Sequence, residues 1–228
     1  MFFENMEKKI VLVIAPHPDD EVLGCGGTIK RFTEEGNKVF VLIVTAGSPK
    51  YYTSEGVGRV RDQALKAHAL LGVERTYFFD FPAPELDIIS NSEIAVAIEK
   101  VIRELGVTDL FLPHQGDIHH DHGAVFRASM VASRPIRGNT VKRIYCYETL
   151  SETEWAFPFG EAYFIPTHFV DITNFLNSKI LAMQQFTSQI QNFPHPRSVD
   201  ALEALSKFRG STVGFNHAEA FITIRTIS

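Results

Sequence analysis

At 228 residues, with 45% hydrophobic and 21% charged residues, the chain has the size and make-up of one globular domain rather than a disordered segment. Its formal net charge of -5 argues against a nucleic-acid binder, which carries a basic excess or stripe. Two cysteines, Cys25 and Cys146, exclude a disulfide framework and a cysteine-rich zinc site.

Residues 1–7 carry acids where a secretory leader has a basic start and an apolar core, and no apolar run approaches the ~20 residues of a membrane span. Both cysteines read as buried thiols suited to a reducing compartment. The expectation is a cytoplasmic protein with no membrane span. Ile10–Ala15 (IVLVIA) is a continuous apolar run, the pattern of a parallel strand buried on both faces. Residues 21–35 have helical spacing through Leu23, Ile29 and Phe32, closed by Gly36. Residues 39–45 (VFVLIVT) form a second buried strand, 59–71 a helix stopped at Gly72, and 76–79 a third strand. A helix over 92–105 ends at Gly106 and leads to a strand over Asp109–Pro113. A helix over 122–133 precedes a strand over Arg143–Tyr147.

Strand alternating with helix predicts an α/β fold: a mostly parallel sheet flanked by helices, joined by right-handed crossovers. Beyond Tyr147 the pattern loosens. Residues 148–166 are rich in aromatics and prolines and read as an excursion over the pocket face. A polar-faced helix is expected over 173–191 and a last strand over 221–227. With no linker, repeat or low-complexity tract, residues 1–228 read as a single Rossmann-like domain.

The first strand runs into Pro16-His17-Pro18-Asp19-Asp20-Glu21. Ligands of open α/β sheets bind outside the carboxyl ends of the strands. An imidazole and a run of carboxylates are costly to gather there unless a positive charge sits among them, and a divalent metal supplies one. The fourth strand ends in a second cluster, residues 114–122 (HQGDIHHDH), which holds four of the nine histidines. Imidazole and carboxylate around an open position is the ligand set of a catalytic zinc. The remaining groups can then act as base, oxyanion stabiliser or support for the ligands. Either cluster alone could be a surface loop, and Asp19 or Asp20 could simply cap the next helix. Two clusters at the ends of parallel strands favour the metal. Gly24-Cys25-Gly26-Gly27 is misplaced for a dinucleotide fingerprint, whose third glycine slot here is Ile29, and no phosphate-binding loop of the G-x-x-x-x-G-K-[ST] type exists. These glycines more simply permit close approach of helix and sheet.

Ala15 to Glu21, followed by Gly24-x-Gly26-Gly27, resembles the signature of the PIG-L/LmbE-like de-N-acetylases, and His119-His120-Asp121-His122 is similar to their H-x-D-H motif. Lys179, Ala182, Ser188 and Gln189 resemble the family's C-terminal helix, and Glu219-Ala220-Phe221 its final strand. The resemblance implies one zinc per chain held by His17, Asp20 and His122. It makes Asp19 the general base, His119 the oxyanion stabiliser and Asp121 the residue that orients His119. Its implied substrate is a small N-acylated sugar or sugar conjugate of the N-acetylglucosamine type.

The chain departs from the family pattern at several positions. The loop over 81–86 lacks an Asp-Gly pair that many members carry, and Asp80 or Asp87 could take its place. Gln63 stands in an acidic slot, with Arg59 or Arg61 as the accompanying arginine and candidate substrate contact. His120 replaces a common proline and is expected to be exposed, and His114 to pack at the strand end. His68, His168, His195 and His217 lack metal-ligand spacing. Trp155, Phe157 and Phe159 could form a lid, although core or interface packing is the commoner fate of such residues. Phenylalanine-rich segments make a homo-oligomer plausible. The rival readings are a metal-dependent phosphohydrolase, whose sites usually sit on helical bundles, and a catalytically silent sugar-binding module.

Overall fold

Continuous runs of Val, Ile and Leu build the centre of the sheet. β1 (Ile10–Ala15) and β2 (Lys38–Gly47) are buried along most of their length, as strands covered on both faces must be. They are joined in parallel by β3 (Arg75–Ala83), β4 (Asp109–Pro113) and β5 (Arg143–Tyr147). The crossovers contain α1 (Asp20–Glu34), α2 (Ser54–Leu71), α3 (Asn91–Leu105) and α4 (His120–Ala132). β6 (His168–Asp171) and β7 (Ala218–Thr226) complete the order β3-β2-β1-β4-β5-β7-β6, with β7 antiparallel to both neighbours. This computed structural model describes residues 8–136 and 138–228, so the segment over 1–7, weighed above for leader features, lies outside the described residues.

Side chains of β1 alternate between two cores. Val11, Val13 and Ala15 face one with α1 and α2, while Leu12 and Ile14 face the other with α3 and α4. The chain winds outward from β1 to β3 and then returns to β4 on the other side of β1. The carboxyl ends of β1 and β4 therefore flank the crevice where strand order reverses. Both histidine-carboxylate loops leave the sheet there.

A Cβ on Gly24 would collide with the ring of Tyr147, so this glycine lets α1 lie against β5. Tyr147 is fixed by its hydroxyl, which donates to the Ile14 carbonyl at 2.9 Å. Deeper in the same interface, Glu219 accepts from the amides of Gly27 and Thr28, while Lys179 donates to the Leu23 carbonyl and to Glu219. A buried ion pair thus binds the C-terminal elements to α1.

Two expectations need correction, and two elements were not expected. α2 begins at Ser54 rather than near 59, because the Thr53 hydroxyl accepts from the Gly56 amide and caps it. The helix expected over 173–191 is only α5 (Leu176–Met183). Tight turns follow, with Gln185 donating to Ala182 and Phe186 to Met183, and they seat Phe186 in the core. A further helix, α6 (Val199–Ser211), starts where the Ser198 side chain accepts from the Ala201 amide. The short β6 was not foreseen. No helix among the described residues is long and apolar enough to cross a membrane.

Candidate active site

The turn after β1 is shaped around Asp19, whose φ of 118° lies in the left-handed region that a residue with a Cβ seldom adopts. Its carbonyl accepts from Val22 and Leu23 at the start of α1, but its side chain makes no cap bond. The carboxylate is therefore free of the capping role that its position allowed. The Asp19 amide donates to Glu21 Oε2 at 3.1 Å, and Glu21 Oε1 lies 2.8 Å from His68 Nε2. His68 Nδ1 in turn lies 2.8 Å from the Thr76 hydroxyl, so α2 and β3 support this turn.

Asp20 sits at the centre of the cluster. Its Oδ2 accepts from the His17 amide at 2.9 Å and lies 3.2 Å from His17 Nδ1 and 3.3 Å from His122 Nε2. Each imidazole has another carboxylate on its far nitrogen. His17 Nε2 is 3.1 Å from Asp121 Oδ2, and His122 Nδ1 is 2.7 Å from Asp117 Oδ2. The other Asp117 oxygen accepts from the Thr153 hydroxyl at 2.6 Å. Imidazoles that bind a metal through one nitrogen are typically held by a carboxylate at the other.

Whether a divalent cation fits can be judged from atoms left over. Asp20 Oδ1 and His122 Nε2 are buried and have no hydrogen-bond partner. Buried polar atoms are seldom orphaned without a reason. Donor atoms of His17, Asp20 and His122 lie within 4.8 Å of one another, close enough to share one cation. His17, His119 and Asp121 form a second group of the same reach. There, however, Asp121 Oδ1 already accepts from the Leu86 amide and His119 Nδ1 from the Asp121 amide. The orphaned atoms select the first set.

Electrostatics point the same way. Burial opposes a charged His17, yet hydrogen bonds to Asp121 and Asp20 overcome it and push its pKa up to about 9. Burial likewise opposes a charged His122, but the charge of Asp20 and a hydrogen bond to Asp117 raise it to about 10. The carboxylates thus call for positive charge between them, and a divalent cation answers that call as well as protons do. Asp19 is pushed up to about 8 by burial, against the opposing charge of Arg197.

His119 caps α4: its Nδ1 accepts from the Asp121 amide at 3.2 Å, which leaves the ring proton on Nε2. Burial and the charge of His17 push its pKa down to about 4, so it is a neutral donor. The Asp121 carboxylate stays 4.0 Å from His119 Nδ1 and closer to His17. Asp121 therefore contacts His119 through its backbone amide, while its carboxylate faces His17.

A cleft of about 270 Å³ opens over Asp19, His17 and His119. Its near wall is largely apolar, with Ala46, Val57, Val60 and Pro84. Arg61 lines it and donates to the Phe79 carbonyl and Asp80, each at 2.7 Å. Arg59 pairs with Glu55 on the exposed side of α2 and does not line the cleft. A polar wall from segments late in the chain consists of Glu152, Gln189 and Arg197. His114 is buried against the Ala162 carbonyl, and the exposed His120 reaches the Pro84 carbonyl. Trp155, Phe157 and Phe159 are exposed and lie outside the cleft lining.

Sequence reasoning gave Asp117 no individual role, although it lies inside the second cluster. Glu152 and Arg197 went unnoticed, since neither belongs to a local pattern. Residues 12–133, more than half of the chain, match the PIG-L family, GlcNAc-PI de-N-acetylase. The chain belongs to the PIG-L family. This PIG-L protein is 30% identical over 150 residues to YaiS, an uncharacterized deacetylase of Escherichia coli K12, covering 64% of the chain and 76% of that protein. It is 28% identical over 228 residues to a diacetylchitobiose deacetylase of Thermococcus kodakarensis, covering 95% and 83%. The conserved protein TT1542 of Thermus thermophilus shares its fold with a TM-score of 0.76 at 25% identity, over 96% of each chain.

Proposed function

We propose that this PIG-L protein is a zinc-dependent hydrolase that removes an N-acyl group, acetyl foremost, from a small sugar or sugar conjugate of the N-acetylglucosamine type. One observation carries the reading: two buried ligand atoms without hydrogen-bond partners, Asp20 Oδ1 and His122 Nε2, belong to a His17–Asp20–His122 set whose ligand atoms come within 4.8 Å of one another, beside a cleft lined by His17, Asp19 and His119. The deacetylase names of its relatives support the same chemistry.

His17, Asp20 and His122 would hold the metal. When bound, zinc supplies Lewis-acid polarisation and lowers the pKa of a water it holds to roughly 7. The chain's own groups do the rest. Asp19 faces the cleft and takes the proton of the attacking water. The Nε2–H of His119 donates to the oxygen on which charge develops as the carbonyl carbon becomes tetrahedral. The proton held by Asp19 is the one the departing amine needs as the C–N bond breaks. Arg61 is the better placed of the two arginines to meet the substrate. The reading extends to a cytoplasmic enzyme, supported by two buried free thiols, Cys25 and Cys146.

The test is an amine-release screen with zinc-loaded protein over N-acetylglucosamine, N,N′-diacetylchitobiose and N-acetylglucosaminyl conjugates, run beside p-nitrophenyl phosphate. Equal amounts of free amine and acetate are expected, with no phosphate. Phosphate release alone would favour the phosphohydrolase. Sugar binding without turnover would leave a silent module.

A further inference from the structure

Asp19 is fixed at both its backbone and its side chain. Its backbone amide is held by Glu21, itself backed by His68 of α2. Its carboxylate is held by Arg197, from the loop between α5 and α6, with Nη1 donating to Asp19 Oδ2 at 3.0 Å. The rest of the guanidinium is also engaged. Nε donates to the Ser151 hydroxyl at 2.7 Å, Nη1 also to Gln189 Oε1 at 2.9 Å, and Nη2 reaches Glu152 Oε1 at 3.4 Å. Asp19 and Ser151 are the only non-glycine residues among those described that have positive φ, at 118° and 74°. One planar fork therefore joins two left-handed turns far apart in the chain and holds the Asp19 carboxylate at one end. Such a fork fixes direction as well as distance, which a lysine in its place would not do.

We propose that Arg197 is a positioning residue for the reaction: it aims the Asp19 carboxylate into the cleft, and its effect on turnover passes through Asp19. This rests on the reading of Asp19 as the base. Arg197 neither holds the metal nor needs to touch the substrate. Its loss leaves the metal cluster intact but lets the carboxylate swing off the line of attack. A misplacement of about 1 Å costs on the order of 10²-fold in rate.

The experiment is a double-mutant cycle with a structural arm. Arg197→Ala should lower kcat on N,N′-diacetylchitobiose or N-acetylglucosamine on the order of 10²-fold. KM and zinc content should stay near wild type, and Arg197→Lys should recover part of the loss. In an Asp19→Asn background the same change should add almost nothing, because groups acting as one unit are not additive. A full, additive penalty in that background overturns the proposal, as does wild-type kcat in Arg197→Ala. If the alanine variant does not fold, Arg197→Lys runs through the same cycle. Crystal structures of wild type and variant decide independently of turnover. The Asp19 carboxylate should leave its position in the variant, and an unmoved carboxylate refutes the role. Wild-type protein that releases no amine defeats the proposed function instead, and the crystallographic comparison still judges Arg197.

Discussion

The floor and the polar wall of the cleft are built in different ways. On the floor, His17 and Asp20 share one turn, Asp117 and His122 share another, and β1 pairs directly with β4. Geometry there follows from short loops on adjacent strands. The wall is assembled from Glu152, Gln189 and Arg197, the last backed by Ser151, and these residues meet only after the chain has wound through the later elements. A floor set by local geometry suits groups that must hold a metal at fixed distances. A wall set by tertiary contacts suits groups that aim or select. The two regions should therefore fail differently when altered: the floor by losing metal, the wall by losing rate or affinity with metal in place.

Asp19 lies between them and gives the largest test in which metal is kept. Asp19→Asn should retain zinc by elemental analysis and lose about 10²–10⁴-fold in kcat, the usual scale for a general base. Equal metal loss in Asp19→Asn and Asp20→Ala would put Asp19 on the floor. His119→Ala should lower kcat by about 10²–10³-fold with little change in KM, since its contact belongs to the transition state. Recovery of that activity by excess zinc would show that His119 merely supports the metal loop.

Smaller effects sharpen the division. Asp117→Asn should weaken zinc binding about 10–100-fold while leaving kcat near wild type at saturating zinc, because it acts on the far nitrogen of His122. Competition with a chromophoric chelator reads this directly. On the near wall, Arg61→Ala should raise KM about ten-fold, the scale of one hydrogen bond to a charged group. Arg59→Ala, which removes only an exposed pair with Glu55, should leave both constants unchanged within error.

What the sequence showed in advance follows the same line. β1 and β2 were legible because continuous apolar runs are needed for strands buried on both faces. Helix ends were legible at Gly72 and Gly106, whose φ values of 81° and 66° favour glycine. The two clusters stood out because several ligand types fall within a few positions of each other. In the C-terminal third the same clues misled. Leu176, Ile180, Met183, Phe186 and Ile190 keep helical spacing and all reach one core, yet the chain turns after Met183. Periodicity reports which side chains face inward and says nothing of a turn that preserves that facing. α6 buries only Leu202, Ser206 and Gly210, too weak an apolar stripe to announce a helix. The contact of Arg197 with Asp19 joins residues 178 positions apart and leaves no local trace.

The central claim is that one divalent metal occupies the floor between His17, Asp20 and His122. Calorimetric titration of zinc into chelator-treated protein tests it most directly, with wild type beside His17→Ala, Asp20→Ala and His122→Ala. Wild type should bind one zinc per chain, and each variant should lose that site while keeping its fold by circular dichroism. Wild-type stoichiometry and affinity in the His17 and His122 variants would contradict the account.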